Sequence, residues 1–195
     1  MYYKGEKMTE GPSSPNTDFH GYGKEIRREL RRRISPNRKV RALDVGTGMG
    51  QNIALLIGYL SKNSEIWTID PSDEVLVSVK ASLGKKGSRV NFVKASADRL
   101  DFADGFFDLI VSVMVMHHIE DARAVLRELG RVMRSGARLL IVDYKPDAAH
   151  ELEFHIRHEE KDFLEPRLAG DMIRKLGLAC TVNDFGLWYL LDARK

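Results

Sequence analysis

The segment Leu43-Asp44-Val45-Gly46-Thr47-Gly48-Met49-Gly50-Gln51 sets an acidic residue and three alternate glycines at a junction where a strand gives way to a helix. Glycine lets the chain turn tightly there and lets a ligand approach bare backbone N–H groups. Ligands of open parallel sheets settle at the carboxyl ends of the strands, so this turn is read as a binding loop. The competing reading, a tight turn with no ligand, carries the chain-entropy cost of three glycines without a use for them. The dinucleotide fingerprint is G-x-G-x-x-G. Gly46, Gly48 and Gly50 give G-x-G-x-G, with Gln51 where the third glycine would fall, which weighs against a nicotinamide or flavin. Asp70 closes the next strand, 70 − 50 = 20 residues beyond Gly50. A carboxylate so placed accepts hydrogen bonds from both hydroxyls of a ribose. Turn and carboxylate together point to a nucleoside ligand.

Histidine offers a proton acceptor near neutral pH. His117 and His118 follow the fourth strand, where a substrate would sit, although packing against the sheet competes with that role. His150, His155 and His158 lie among Glu151, Glu153 and Glu159, but their spacing matches no strong metal pattern and reads as a solvated insertion. No metal is expected. Arg27, Arg28, Arg31, Arg32 and Arg33 crowd one helix that could meet RNA phosphates. No aromatic platform for bases is interleaved with them, and a solvated face supported by Glu29 and Arg33 at i, i+4 is the simpler reading. Tyr22 and His20 lie just before that arginine-rich stretch.

The elements that would position these residues repeat from residue 40. Strands are expected at Val40–Val45, Glu65–Asp70, Val90–Lys94, Phe107–Met114 and Arg138–Asp143. Helices are expected at 19–35, Gln51–Lys62, Asp73–Leu83 behind a Ser72 cap, Asp121–Arg134 and Pro166–Leu176. Strands alternating with helices imply crossovers and a mainly parallel sheet. Ala179–Asp184 and Leu187–Ala193 close the chain across a short link, so one of them should run antiparallel. Residues 1–18 read as a polar tail.

At 195 residues the chain suits one domain, and it can bury about 70% of its unfolded surface without a disulfide or metal. Its 43% apolar and 30% charged residues are ordinary for a globular protein. The balance of 31 − 28 = +3 is too small to imply nucleic-acid binding. One cysteine, Cys180, excludes an intrachain disulfide. The longest apolar run, Leu109–Met116 with one serine, falls far short of the roughly 20 residues that cross a bilayer. The N-terminus lacks the apolar core of a signal peptide, so a cytoplasmic protein with no membrane partner is expected.

The chain resembles the class I S-adenosylmethionine-dependent methyltransferases of the small-molecule type, over roughly residues 40–143. ALDVGTGMG is similar to the family's first motif and IDPSDEVL to its second. VKASADRLDFADGFFDLIVSVMVMHHIED resembles the third and fourth run together, and LRELGRVMRSGARLLIVD the helix and strand that follow. The resemblance implies an α/β fold, a Rossmann-like three-layer sandwich. Its seven-stranded, mostly parallel sheet would have the order 3-2-1-4-5-7-6 with strand 7 antiparallel. It also implies S-adenosylmethionine as cofactor and S-adenosylhomocysteine as its product. By position, Asp44 and the turn Gly46, Thr47, Gly48 would hold the methionine end, Asp70 the ribose hydroxyls, and Pro71 with Ser72 the adenine flank. Relatives carry G-D-A in the third motif where this chain has Ala95-Ser96-Ala97, so Ser96, Asp98 or the Ala97 backbone would serve the adenine. Ser112 and Val113 would offer carbonyls.

The reading is thus methyl transfer to a small-molecule acceptor by in-line displacement. Residues 1–39 form a tail and basic helix over the site, and 40–195 the cofactor domain with an insertion at 145–165. Those covering segments are short, so the pocket is either open or completed by a second subunit of a homodimer. Methylation of RNA or protein, non-catalytic binding of the cofactor or its product, and a nicotinamide oxidoreductase are the alternatives.

Overall fold

A computed structural model of the chain describes residues 21–150 and 163–195. The tail 1–18, His20 and the group His155, His158, Glu151, Glu153 and Glu159 lie outside the described residues. Seven strands form one sheet: β1 Arg41–Val45, β2 Glu65–Asp70, β3 Val90–Lys94, β4 Phe107–Val113, β5 Met133–Tyr144, β6 Ala179–Asp184 and β7 Trp188–Arg194. Their order is β3-β2-β1-β4-β5-β7-β6. Pairings from β3 to β5 are parallel, and β7 runs antiparallel to both β5 and β6. The expected order and the single reversed strand are both present.

The helices are α1 Tyr22–Arg33, α2 Gln51–Tyr59, α3 Asp73–Leu83, α4 Ala122–Val132 and α5 Pro166–Lys175. Each buries one apolar stripe against the sheet. On one face Ile26, Leu30 and Ile34 of the α1 segment join Ile53 and Leu56 of α2, Val79 of α3 and the strand residues Ala42, Leu109 and Val111. On the other, Val125, Leu129 and Val132 of α4 and Ala169 and Ile173 of α5 pack on Leu43, Ile110, Ile141 and Tyr189. β4 reads FDLIVSV because both of its faces are covered.

The crossover from β3 to β4 carries no α-helix. Leu100 and Ala97 plug the second face instead, beside Trp67, Phe102, Phe106 and Phe107, whose rings meet mostly edge to face. Arg131 of α4 fastens that loop. Its guanidinium donates to the carbonyls of Leu100 and Phe102 at 2.9 and 2.7 Å and pairs with Asp104 and Glu128.

Several boundaries differ from expectation for local reasons. The helix expected to reach Arg134 stops at Val132, because Met133, wholly buried, is drawn into the sheet opposite Phe107. β5 therefore starts early and carries an irregularity in register between Phe107 and Leu109. β4 ends at Val113 rather than Met114, whose φ of 55° takes the chain out of extended geometry. The second helix ends at Tyr59 rather than Lys62, since Leu60 turns extended to bury its side chain. The Ser72 cap is present, its Oγ accepting from Val75 N at 3.3 Å.

Candidate functional site

The carboxyl edge of the sheet gathers the residues singled out by sequence. β1 lies between β2 and β4, with Val45 beside Ile69 and Ser112. Asp44 and Thr68 are direct neighbours in the β1–β2 register, so their side chains share a face. Thr68 Oγ1 donates to Asp44 Oδ2 at 2.8 Å. Thr68 Oγ1 also lies 2.7 Å from Thr47 Oγ1, in the glycine loop. Asp44, Thr68 and Thr47 are all buried. Asp44 Oδ1 is buried too and has no hydrogen-bond partner among the described residues. Burial pushes the Asp44 carboxyl up to about 8, against the pull of Thr68 and Asn52, and the Asp70 carboxylate adds to the rise.

The loop takes its shape from its glycines. Gly46, Gly48 and Gly50 have φ of 81°, 48° and 82°, left-handed values that L side chains rarely adopt. Gly46 N donates to Ile69 O and Gly50 N to Thr47 O, both at 2.9 Å. A Cβ on Gly46 would overlap Val115, whereas one on Gly48 would meet nothing within 4 Å. Gly48 thus leaves room for a ligand over bare backbone.

Asp70 stands at the end of β2 on the same side, close enough to act on Asp44. Ser72 N donates to its Oδ1 at 2.9 Å, which fixes the carboxylate plane. Ala95 N donates to Asp70 O at 3.2 Å, bringing the turn 95–98 alongside. There Ser96 and Asp98 are exposed, Ala97 is core, and Pro71 is exposed. Ser112 faces the other way. Leu109, Val111 and Val113 pack with α1 and α2, so the Ser112 side chain shares the opposite face with Ile110, and its buried Oγ has no partner among the described residues. Its backbone, not its hydroxyl, reaches the edge.

A second set of groups sits at the ends of β4 and β5. A single 3-10 turn, Met116–His118, follows β4. The carboxylate of Asp143, in β5, accepts from Met116 N at 2.6 Å, His117 N at 3.3 Å and Tyr144 N at 2.7 Å, and lies 2.6 Å from His117 Nδ1. The His117 ring stacks on Phe163 at 5.3 Å and tilts against His118 at 4.1 Å. His117 is 4% exposed and His118 half-buried. Sequence reading noticed the histidines and missed Asp143, although an acidic residue ending the run LLIVD is an anomaly in an otherwise apolar strand. Tyr144 is pushed up to about 12, by burial first and then by Tyr22 and Asp143. Tyr22 meets Trp188 edge to face at 6.5 Å, so α1 begins at this edge of the sheet.

The arginines of α1 are largely engaged within the chain. Arg28, Arg32 and Arg33 all pair with the buried Glu29, and Arg33 reaches Asp192 at 3.6 Å. Among the described residues no group of His, Cys, Asp and Glu is arranged to hold a metal. No helix among them is long and apolar enough to cross a membrane.

An open doubly wound sheet of this strand order, with a glycine loop and acidic strand ends on one edge, defines a nucleoside-binding α/β protein. Residues 43–141 match the Methyltransferase domain family, and the chain belongs to it as a class I S-adenosylmethionine-dependent methyltransferase. It is 31% identical over 152 residues to the O-methyltransferase rstn1 of Aspergillus nomiae, covering 77% of this chain and 68% of that protein. It is 30% identical over 116 residues to the ubiquinone/menaquinone biosynthesis C-methyltransferase UbiE of a Shewanella species, covering 58% of this chain and 45% of that one. In fold it is similar to a SAM-dependent methyltransferase from Aquifex aeolicus, at a TM-score of 0.72, 21% identity and 88% of each chain.

The edge fits such a cofactor. Asp44 Oδ1 is buried with no hydrogen-bond partner among the described residues, Gly48 leaves backbone uncovered, and Asp70 offers a fixed carboxylate one strand away.

Proposed function

We propose that the chain transfers a methyl group from S-adenosylmethionine to a small-molecule acceptor by in-line displacement, leaving S-adenosylhomocysteine. The observation that carries this reading is the convergence of Asp44, the Gly46–Gly48 turn and Asp70 on one edge, where one buried Asp44 oxygen has no hydrogen-bond partner among the described residues. In this reading Asp44, Gly46, Thr47 and Gly48 grip the methionine end, Asp70 the ribose hydroxyls, and Pro71 and the turn Ser96–Asp98 the adenine. The backbone of Ser112 and Val113 completes the edge.

When bound, the cofactor supplies an activated methyl group on sulfur. Most of the acceleration then comes from alignment, which this chain provides by fixing the loop to β2 and the 116–118 turn to Asp143. An acceptor that loses a proton needs a base. Of the two histidines His117 is the better held, its Nδ1 lying 2.6 Å from Asp143 Oδ1. A cytoplasmic setting fits this reading. Nucleic acid fits it poorly, because Arg28, Arg32 and Arg33 already face carboxylates.

Calorimetric titration with S-adenosylhomocysteine and with NAD tests the site, followed by transfer assays on small phenols, acids and amines. Preference for the homocysteine nucleoside with turnover supports the proposal. Binding without turnover on any acceptor leaves a cofactor-binding protein, and preference for NAD defeats it. Asp70→Ala should weaken the nucleoside by about 1.5–3 kcal/mol, the range for a charged hydrogen-bond partner.

A further inference from the structure

Asp44 is the acid of the first motif, but the residue that governs it lies on another strand. Thr68 fills the β2 position directly beside Asp44 and is wholly buried. Once Asp44 is ionised both of its oxygens can only accept, so the single proton of the Thr68 hydroxyl goes to Oδ2 at 2.8 Å. Thr47 then donates its own proton to Thr68 Oγ1 across 2.7 Å. The result is a directed chain from loop to β2 to β1, Thr47 to Thr68 to Asp44. It turns one oxygen of Asp44 inward, while Oδ1 is buried with no hydrogen-bond partner among the described residues.

Among the described residues the surroundings of Asp44 hold no compensating charge. From β2 come Thr68 and the repelling Asp70 carboxylate, from the loop Thr47, and from α2 the neutral Asn52. β4 contributes the apolar Val111 on the same face. Burial without a counter-charge disfavours the ionised carboxylate until a cation arrives.

We propose that Thr68 is a positioning residue of the cofactor site, orienting Asp44 so that its carboxyl gives up a proton when the ammonium of the cofactor's amino-acid end binds. The step balances: the Asp44 O–H bond breaks, the proton leaves to solvent, and the carboxylate left behind accepts from the ammonium. Thr68 favours that ionised form by donating to it. The inference rests on the site reading above and adds to it a residue outside the family motifs quoted for this chain, together with a proton count.

The test is calorimetric titration of the full chain with S-adenosylhomocysteine between pH 6 and 8, in buffers of different ionisation enthalpy. Wild type, Thr68→Val, Thr68→Ser and Asp44→Asn are compared. The ligand's own titration is common to all four, so differences between them report Asp44. Val is close in shape to Thr and suits a buried strand, and thermal melting checks that each variant folds. Wild type should release close to one proton per ligand near pH 6.5 and bind more tightly as pH rises towards about 8. Thr68→Val should bind about tenfold more weakly at pH 7, with its rise in affinity moved to higher pH, because a donor to the charged form is gone. Thr68→Ser should restore the wild-type profile, and Asp44→Asn should release no proton. The proposal is overturned if Thr68→Val keeps the wild-type affinity and pH profile, if Thr68→Ser loses as much as Thr68→Val, or if wild type releases no proton. A wild type that binds no S-adenosylhomocysteine overturns the site reading itself.

Discussion

Asp143 holds His117 at two points: its Oδ1 lies 2.6 Å from the ring Nδ1, and its Oδ2 accepts from the backbone N at 3.3 Å. One carboxylate thereby orients an imidazole and folds the turn that carries it. Met116 N and Tyr144 N use the same two oxygens, so the group is saturated.

Removing that carboxylate strands several buried donors at once. Asp143→Ala should lower the stability of the fold by about 3 kcal/mol, since each unsatisfied buried donor costs about 1–3 kcal/mol. Asp143→Asn, which keeps one acceptor oxygen, should lose less. Urea denaturation followed by circular dichroism gives both values. Equal stabilities for the three proteins would show that water replaces the carboxylate freely.

Asp44 makes stability depend on pH in the ligand-free protein. Its folded value, about 8, lies above the ordinary carboxyl value of 3.8. The unfolded chain therefore loses its proton first. The contribution is fully present below the unfolded value and is lost as pH rises through the folded one. Melting temperature should fall between pH 4 and 8 from this cause, and Asp44→Asn should flatten that part of the curve. Scanning calorimetry on both proteins across the range decides it.

The glycine loop separates backbone strain from collision. Gly46→Ala forces a left-handed β-carbon into Val115, whereas Gly48→Ala meets open space at φ 48°. Gly48→Ala should cost about 1 kcal/mol of stability from the backbone alone, and Gly46→Ala more. For ligand binding the order should reverse, because the Gly48 methyl stands where the uncovered backbone is. Melting curves with and without S-adenosylhomocysteine measure both effects.

Arg131 stands in for a missing helix by tying the loop before β4 to α4. Arg131→Ala removes donors to the Leu100 and Phe102 carbonyls and the pairs with Asp104 and Glu128. The side chain is about one-third exposed, so water recovers part of the loss, and about 2 kcal/mol of destabilisation is expected. Hydrogen exchange should localise the added opening to residues 97–106.

Much of this architecture follows from periodicity. The runs ALDV, IWTID and LIVSV are too apolar for anything but covered strands, and the glycine turn and Asp70 mark the edge by their spacing. What sequence conceals is pairing between strands far apart in the chain. Nothing local to Thr68 says that it sits beside Asp44, and nothing local to Asp143 says that His117 lies above it. Where α4 ends was hidden for the same reason, since Met133 chooses the sheet only because Phe107 is there to meet it.

The two acidic centres come from opposite halves of the sheet. Asp44 and Asp70 belong to β1 and β2, His117 to the turn after β4 and Asp143 to β5, and the chain order reverses between β1 and β4. On the proposed function, donor recognition and acceptor handling would therefore be built from separable stretches of sequence. Selection for a new acceptor could rewrite the second half residue by residue while the grip on the nucleoside stays untouched, a division of labour that suits repeated change of substrate.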